Sequence, residues 1–148
     1  MSLAISTEFG YCVIVTVAMA IQCKATVMEV EVFRELNSIP DPESDGGQVA
    51  DQLSDEDQAK FSRIKHLRDS YHEHLITALP LLILAGLFYP ILSANTGNMY
   101  ILVRAVYSQL YIHNRPEARK YCMPFIRGQP FIWAILAMHG AAMVTIFA

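Results

Sequence analysis

Basic residues are missing from three stretches of this chain. The N-terminal leader, the Ser93–Asn98 segment and everything after Arg127 carry no Lys or Arg. A water-soluble helical bundle has no reason to keep cations off so much of its surface, so that class is disfavoured. Charge of either sign is scarce at 17% of residues, against 53% hydrophobic residues and a mean hydropathy of +0.30, which points toward lipid rather than water. Cysteine is also scarce. Cys12, Cys23 and Cys122 show neither a CxxC nor a Cys/His metal-ligand spacing, so they give no disulfide framework and no zinc site and read as packed, reduced thiols. There is no phosphate-binding glycine loop, no basic–aromatic pattern for nucleic acid and no internal repeat; the last absence argues against a transporter built on inverted halves. The acids between Asp41 and Asp57 lack calcium-loop spacing and read as a solvated loop.

What the chain does have is four apolar runs, about Phe9–Met28, Leu75–Leu92, Met99–Ile112 and Phe131–Ala148. A span needs about 20 apolar residues, a length the second and fourth runs approach most cleanly. Six cations, Lys24 near the end of the first run and Arg34, Lys60, Arg63, Lys65 and Arg68 beyond it, precede the second run. Four more, Arg115, Arg119, Lys120 and Arg127, lie between the third and fourth. Four spans put both basic segments on one face, which the positive-inside rule makes cytoplasmic, with both termini opposite. The first run lacks a basic leader and continues past Lys24, so it reads as a retained span and not a cleaved signal.

The expected architecture is all-α: one membrane domain over 1–148, with helices at about 8–36, 55–90, 98–114 and 124–147 and an acidic cytoplasmic loop at 37–54. Ser54, three residues before Asp57, marks the start of the second helix. Pro80 kinks that helix and Pro90 ends it. Ser93–Asn98 reads as a tight polar turn on the far side. Leu82, Leu84 and Phe147 are expected to touch lipid.

Two polar stripes cross this apolar background. Arg63, His66, Ser70 and Glu73 share one helical face, with Thr77 a turn deeper; Tyr100, Arg104, Tyr107 and Tyr111 share another. Ionisable groups within a span are costly and face the bundle interior or a wet cavity. Two readings stay open at this point. Glu73 and Arg104 form a structural pair while the tyrosines and Ser70 glue helices together, or the stripes frame a polar pocket suited to a zwitterionic peptide rich in carboxylates.

The stripes also carry a resemblance. R-A-V-Y-S-Q-L-Y at Arg104–Tyr111 is similar to the R-x-x-Y-x-x-x-Y of the MAPEG family, the membrane-associated proteins in eicosanoid and glutathione metabolism. F-S-R-I-K-H-L-R-D-S-Y-H-E at Phe61–Glu73 resembles the start of that family's second helix. G-L-F-Y-P at Gly86–Pro90 and E-F-G-Y at Glu8–Tyr11 resemble its branch of type 3 microsomal glutathione transferases and cysteinyl-leukotriene synthases. The resemblance covers nearly the whole chain. It implies a four-helix transmembrane bundle, usually homotrimeric, that binds glutathione as co-substrate between subunits in the endoplasmic reticulum or mitochondrial membrane. It implies no metal.

Carried over by resemblance, Glu73 would hold the glutathione amine and Arg34 a carboxylate. Arg104, Tyr107 and Tyr111 would line the tripeptide. Arg119 would stabilise the thiolate, with Tyr107 or Tyr111 donating a hydroxyl. The second-helix motif departs from the family's R-A-x-x-N-x-x-E: the arginine is His66 and the asparagine is Ser70. Lys65 and Arg68 stand nearest to supply the charge, without the bidentate geometry of an arginine at that position. The activity implied is a glutathione transferase or peroxidase acting on lipophilic electrophiles or lipid hydroperoxides. The alternative is a catalytically silent homologue, a lipid-binding helper or an accessory subunit of a larger membrane complex.

Overall fold

The computed structural model of the chain describes residues 6–39, 54–113 and 117–147. Four helices account for nearly all of them: α1 Phe9–Leu36, α2 Asp55–Phe88, α3 Pro90–Ile112 and α4 Glu117–Phe147. Most of the acidic loop falls outside the described residues. α1, α2 and α4 are long and apolar enough to cross a membrane. α3, at 23 residues, is long enough at about 1.5 Å per residue, but its serines, asparagines and Arg104 lower its hydropathy. α1 and α4 each pack against both α2 and α3, which also touch each other.

Local chemistry explains the helix starts. The Ser54 hydroxyl accepts from the Asp57 backbone N–H at 3.2 Å, and Asp55, Glu56 and Asp57 occupy the first turn of α2, where acids suit the positive end of the helix dipole. α2 ends at Tyr89, whose φ of −131° and ψ of 67° are not helical, and Pro90 opens α3 at its first position. A proline there gives up an N–H that would have no helical partner anyway.

The Ser93–Asn98 turn is therefore not a turn. Those residues form the first turns of α3, because their small side chains serve packing. Ser93, Ala94 and Gly97 are buried and continue the Tyr100–Arg104–Tyr107 stripe in steps of three and four. Small residues on one helical face let membrane helices approach closely. A Cβ on Gly97 would sit 2.5 Å from Val15 Cγ1 of α1. We therefore expect Gly97→Ala to destabilise by about 1–3 kcal/mol, in the range of core overpacking, because Val15 is stiff at χ1. The clash outweighs the gain in helix propensity of about 1 kcal/mol. Thermal melts in detergent should show the loss, and Val15→Ala in the same chain should restore most of it.

α4 likewise starts earlier than the expected 124, at Glu117, and runs through Pro124 and Pro130. Its buried Met123, Ile126, Gln129 and Trp133 keep one inward face across both prolines, so packing outweighs the local break. The Trp133 indole N–H donates to Thr96 Oγ1 at 2.9 Å, which ties α4 to α3. Of the three expected lipid contacts, Leu84 is exposed, but Leu82 is wholly buried beneath Gly97. It shares the inner face of α2 with Tyr71, Ala78 and Ala85. The Phe147 side chain lies outside the described residues.

Candidate functional site: a buried arginine among tyrosines

Arg104 lies two turns inside α3 from Ile112 and is 1% exposed. Its position follows from the α3 stripe, since a residue four after Tyr100 and three before Tyr107 must share their inward face. The guanidinium carbon sits 4.4 Å from the centroid of the Tyr71 ring and 5.7 Å from that of Tyr107. Tyr71 and Tyr100 are tilted rings at 6.5 Å, and Tyr100 meets Trp133 at 5.9 Å. The cluster is braced by one hydrogen-bonded chain across three helices. The Tyr71 hydroxyl donates to Gln22 Oε1 at 2.6 Å, and Gln22 Nε2 donates to the Ile101 carbonyl at 3.0 Å.

No acceptor meets the arginine. Its Nε, Nη1 and Nη2 are all buried with no hydrogen-bond partner among the described residues. The Glu73–Arg104 pair, one of the two readings the sequence leaves open, does not form in the single chain, where Glu73 is exposed. The helical period is the reason. The inner face of α2 runs through Leu67, Tyr71, Ala78 and Leu82, and Glu73 stands about 200° round the helix from Tyr71. The expectation that Glu73 faces protein therefore fails for one chain taken alone.

The other candidates divide in the same way. Ser70 and Tyr107 are buried on the same helices as this cluster, and Tyr111 is half-buried, stacked on Tyr107 at 5.5 Å. His66 is exposed, yet its ring lies 5.9 Å from Tyr111, so the two stripes meet at that edge. Arg119 is exposed at the start of α4. Lys65 is half-buried one turn beyond Phe61. Arg34 is half-buried and its guanidinium lies 5.9 Å over the Phe61 ring. That places it in a separate cluster with Val30, Phe33 and Ile64, remote along α1 from the helical level of Met19 and Gln22, where α1 meets Tyr71.

Sequence reasoning missed Tyr71 and Gln22. Tyr71 was legible as a member of the Leu67–Tyr71–Ala78 face; Gln22 had no signal beyond being a lone amide in an apolar run. A groove of about 430 Å³ opens between α2 and α4, lined mainly by Leu81, Ile126, Pro130 and Phe131, with His74 and Arg127 as its basic members. Among the described residues no group of three or more His, Cys, Asp and Glu side chains gathers to hold a metal.

A family model matches most of the chain. The MAPEG family model covers residues 9–143 of the chain. The protein belongs to the MAPEG family. It is an integral membrane protein on that ground and on its three span-length apolar helices. A search among curated proteins finds none that matches. Of the residues singled out on sequence grounds, Ser70, Arg104 and Tyr107 are buried and Tyr111 is half-buried, whereas Glu73, His66 and Arg119 are exposed.

Proposed function

We propose that this MAPEG protein is a glutathione-dependent transferase or peroxidase of an internal membrane, endoplasmic reticular or mitochondrial, and that it works as a homotrimer. The observation that supports this reading most is the guanidinium of Arg104, buried among Tyr71, Tyr100 and Tyr107 with three nitrogens lacking an acceptor. A planar fork of donors in a low-dielectric site is matched to a carboxylate, and glutathione carries two. The surface position of Glu73 fits the same picture. A carboxylate at the membrane boundary is costly against lipid, and a second copy of the chain would cover it and complete the site, so that Glu73 meets the glutathione amine.

In this reading Ser70, His66 and Lys65 contact the polar rim of the tripeptide, and Arg34 reaches it only from a neighbouring subunit. Tyr107 offers a hydroxyl to the sulfur. Arg119 lies on the basic side, where its charge favours thiolate over thiol. The thiolate attacks a lipophilic electrophile, which we place in the α2–α4 groove because its lining is apolar and it opens toward the bilayer. The second reading, a silent homologue acting as a lipid-binding helper or accessory subunit, draws on the exposed His66 where the family has an arginine.

The test is equilibrium binding of glutathione to the purified protein, with thiolate absorbance followed across pH. Wild type should bind at millimolar concentration or below. Arg119→Ala should bind nearly as well but need a higher pH to form thiolate, by about one unit or more, the effect of removing a cation within about 4–6 Å. No binding at millimolar glutathione gives the silent reading the advantage.

A further inference from the structure

Cys23 is set apart from the other two cysteines. Cys12 is capped, its thiol donating to the Pro90 carbonyl at 3.1 Å, and Cys122 is half-buried on α4 with no base paired to it among the described residues. Cys23 on α1 is 4% exposed, and its sulfur lies 3.8 Å from His72 Nε2 on α2. The other imidazole nitrogen decides what that contact means. His72 Nδ1 lies 2.9 Å from the Arg68 carbonyl, and a carbonyl only accepts. Nδ1 must therefore carry a proton, which leaves the lone pair of the neutral ring on Nε2, facing the thiol. Nucleophile, base and orienting group stand in the order that activated thiols require.

A second observation, independent of that contact, points to a ligand. The buried guanidinium of Arg104, with no acceptor on any of its three nitrogens among the described residues, sits 4.4 Å over the Tyr71 ring, whose hydroxyl donates to the Met19 carbonyl at 3.2 Å, one turn before Cys23 on α1. A thiol with a base in contact and an unmatched buried cation at the same level of the bundle suits a reaction that releases an anion. His72 is exposed on the single chain, so a molecule reaching the pair from outside the bundle meets the imidazole first.

We propose that Cys23 and His72 form a reactive thiol–imidazole pair that reduces organic hydroperoxides without bound glutathione. His72 Nε2 takes the thiol proton. The Cys23 sulfur attacks the terminal oxygen of R–O–O–H, the S–O bond forms and the O–O bond breaks. The sulfur becomes a sulfenic acid, oxidised by two electrons, and the peroxide is reduced by two. The alkoxide leaves and takes the proton from His72 as the alcohol. The sum is Cys23–SH plus ROOH giving Cys23–SOH plus ROH. This goes beyond the glutathione reading and does not depend on it, since no step uses the tripeptide.

The experiment uses the full chain in detergent, freed of glutathione, treated with cumene hydroperoxide in the presence of dimedone. Peptide mass spectrometry then gives a rate of sulfenic acid trapping at each cysteine. Cys23 should be trapped about ten times faster than Cys12 or Cys122, and His72→Gln should slow Cys23 at least tenfold, the lower side of what general-base help supplies. His72 is exposed, so that variant should fold, and an unchanged rate at Cys12 shows that it has. Trapping at Cys23 no faster than at Cys12 or Cys122 overturns the proposal, as does a Cys23 rate indifferent to His72→Gln. Because glutathione is absent, either failure leaves the glutathione site untouched, and failure of glutathione binding leaves this pair untouched.

Discussion

Arg104→Met should abolish glutathione binding while raising the melting temperature. The two effects have one origin. In the folded chain a guanidinium is held out of water with no hydrogen-bond acceptor among the described residues. Its compensation is cation–π contact with Tyr71 at 4.4 Å and more distantly with Tyr107, worth up to about 2 kcal/mol when desolvated. Stripping water from a charge costs several kcal/mol, so the desolvation cost exceeds what the rings return. Replacing buried charges with apolar side chains of similar volume is neutral or stabilises by about 1–4 kcal/mol. Methionine fills the space without the charge, and its flexibility suits an irregular cavity. Binding should fall by about a hundredfold or more, since a fork of hydrogen bonds to an ionised carboxylate is lost at about 1.5–3 kcal/mol each. The check is a thermal melt alongside calorimetric titration with glutathione. A lower melting temperature with binding unchanged would show Arg104 to be a structural strut between α2 and α3.

Glu73→Gln should weaken glutathione about ten- to hundredfold, because the charge partner of the α-amine is gone and a charge-assisted hydrogen bond is worth about 1.5–3 kcal/mol. Its effect on the isolated chain should be small, since the carboxylate is exposed there. The contrast with Arg104→Met is the informative part. If the site is shared between copies, Glu73→Gln should lower affinity only in the assembled form. Protein diluted in detergent until it dissociates should bind glutathione weakly whether residue 73 is Glu or Gln. Mass photometry or native mass spectrometry would supply the assembly state, and calorimetry the affinity. Equal affinity of wild type and Glu73→Gln in the trimer would remove Glu73 from the site.

Much of the fold is legible in the order of residues. Apolar runs and the one-sided basic residues mark helices over the observed α1 and α2, and Ser54 with Asp57 marks where α2 begins. The α3 stripe is legible as well, because a 3,4 spacing of Tyr100, Arg104 and Tyr107 admits few placements in a helix with one inner face. The Ser93–Asn98 segment misleads, since small polar residues are ambiguous. In water they make turns; between tightly packed helices they make contact surfaces, and only a neighbour such as Val15 distinguishes the two.

The chain's own chemistry is enough to set a helical membrane protein of the MAPEG type with a cation inside it, because hydropathy, charge asymmetry and helical period are properties of segments. Tertiary packing alone decided which way each polar residue turned. It set Tyr71 against Arg104 and Gln22 against Tyr71, turned Glu73 outward, and brought Cys23 of α1 to His72 of α2. Those pairings depend on the rotation of one helix against another, and that angle is set by how side chains of many residues interlock, a quantity that no single segment carries.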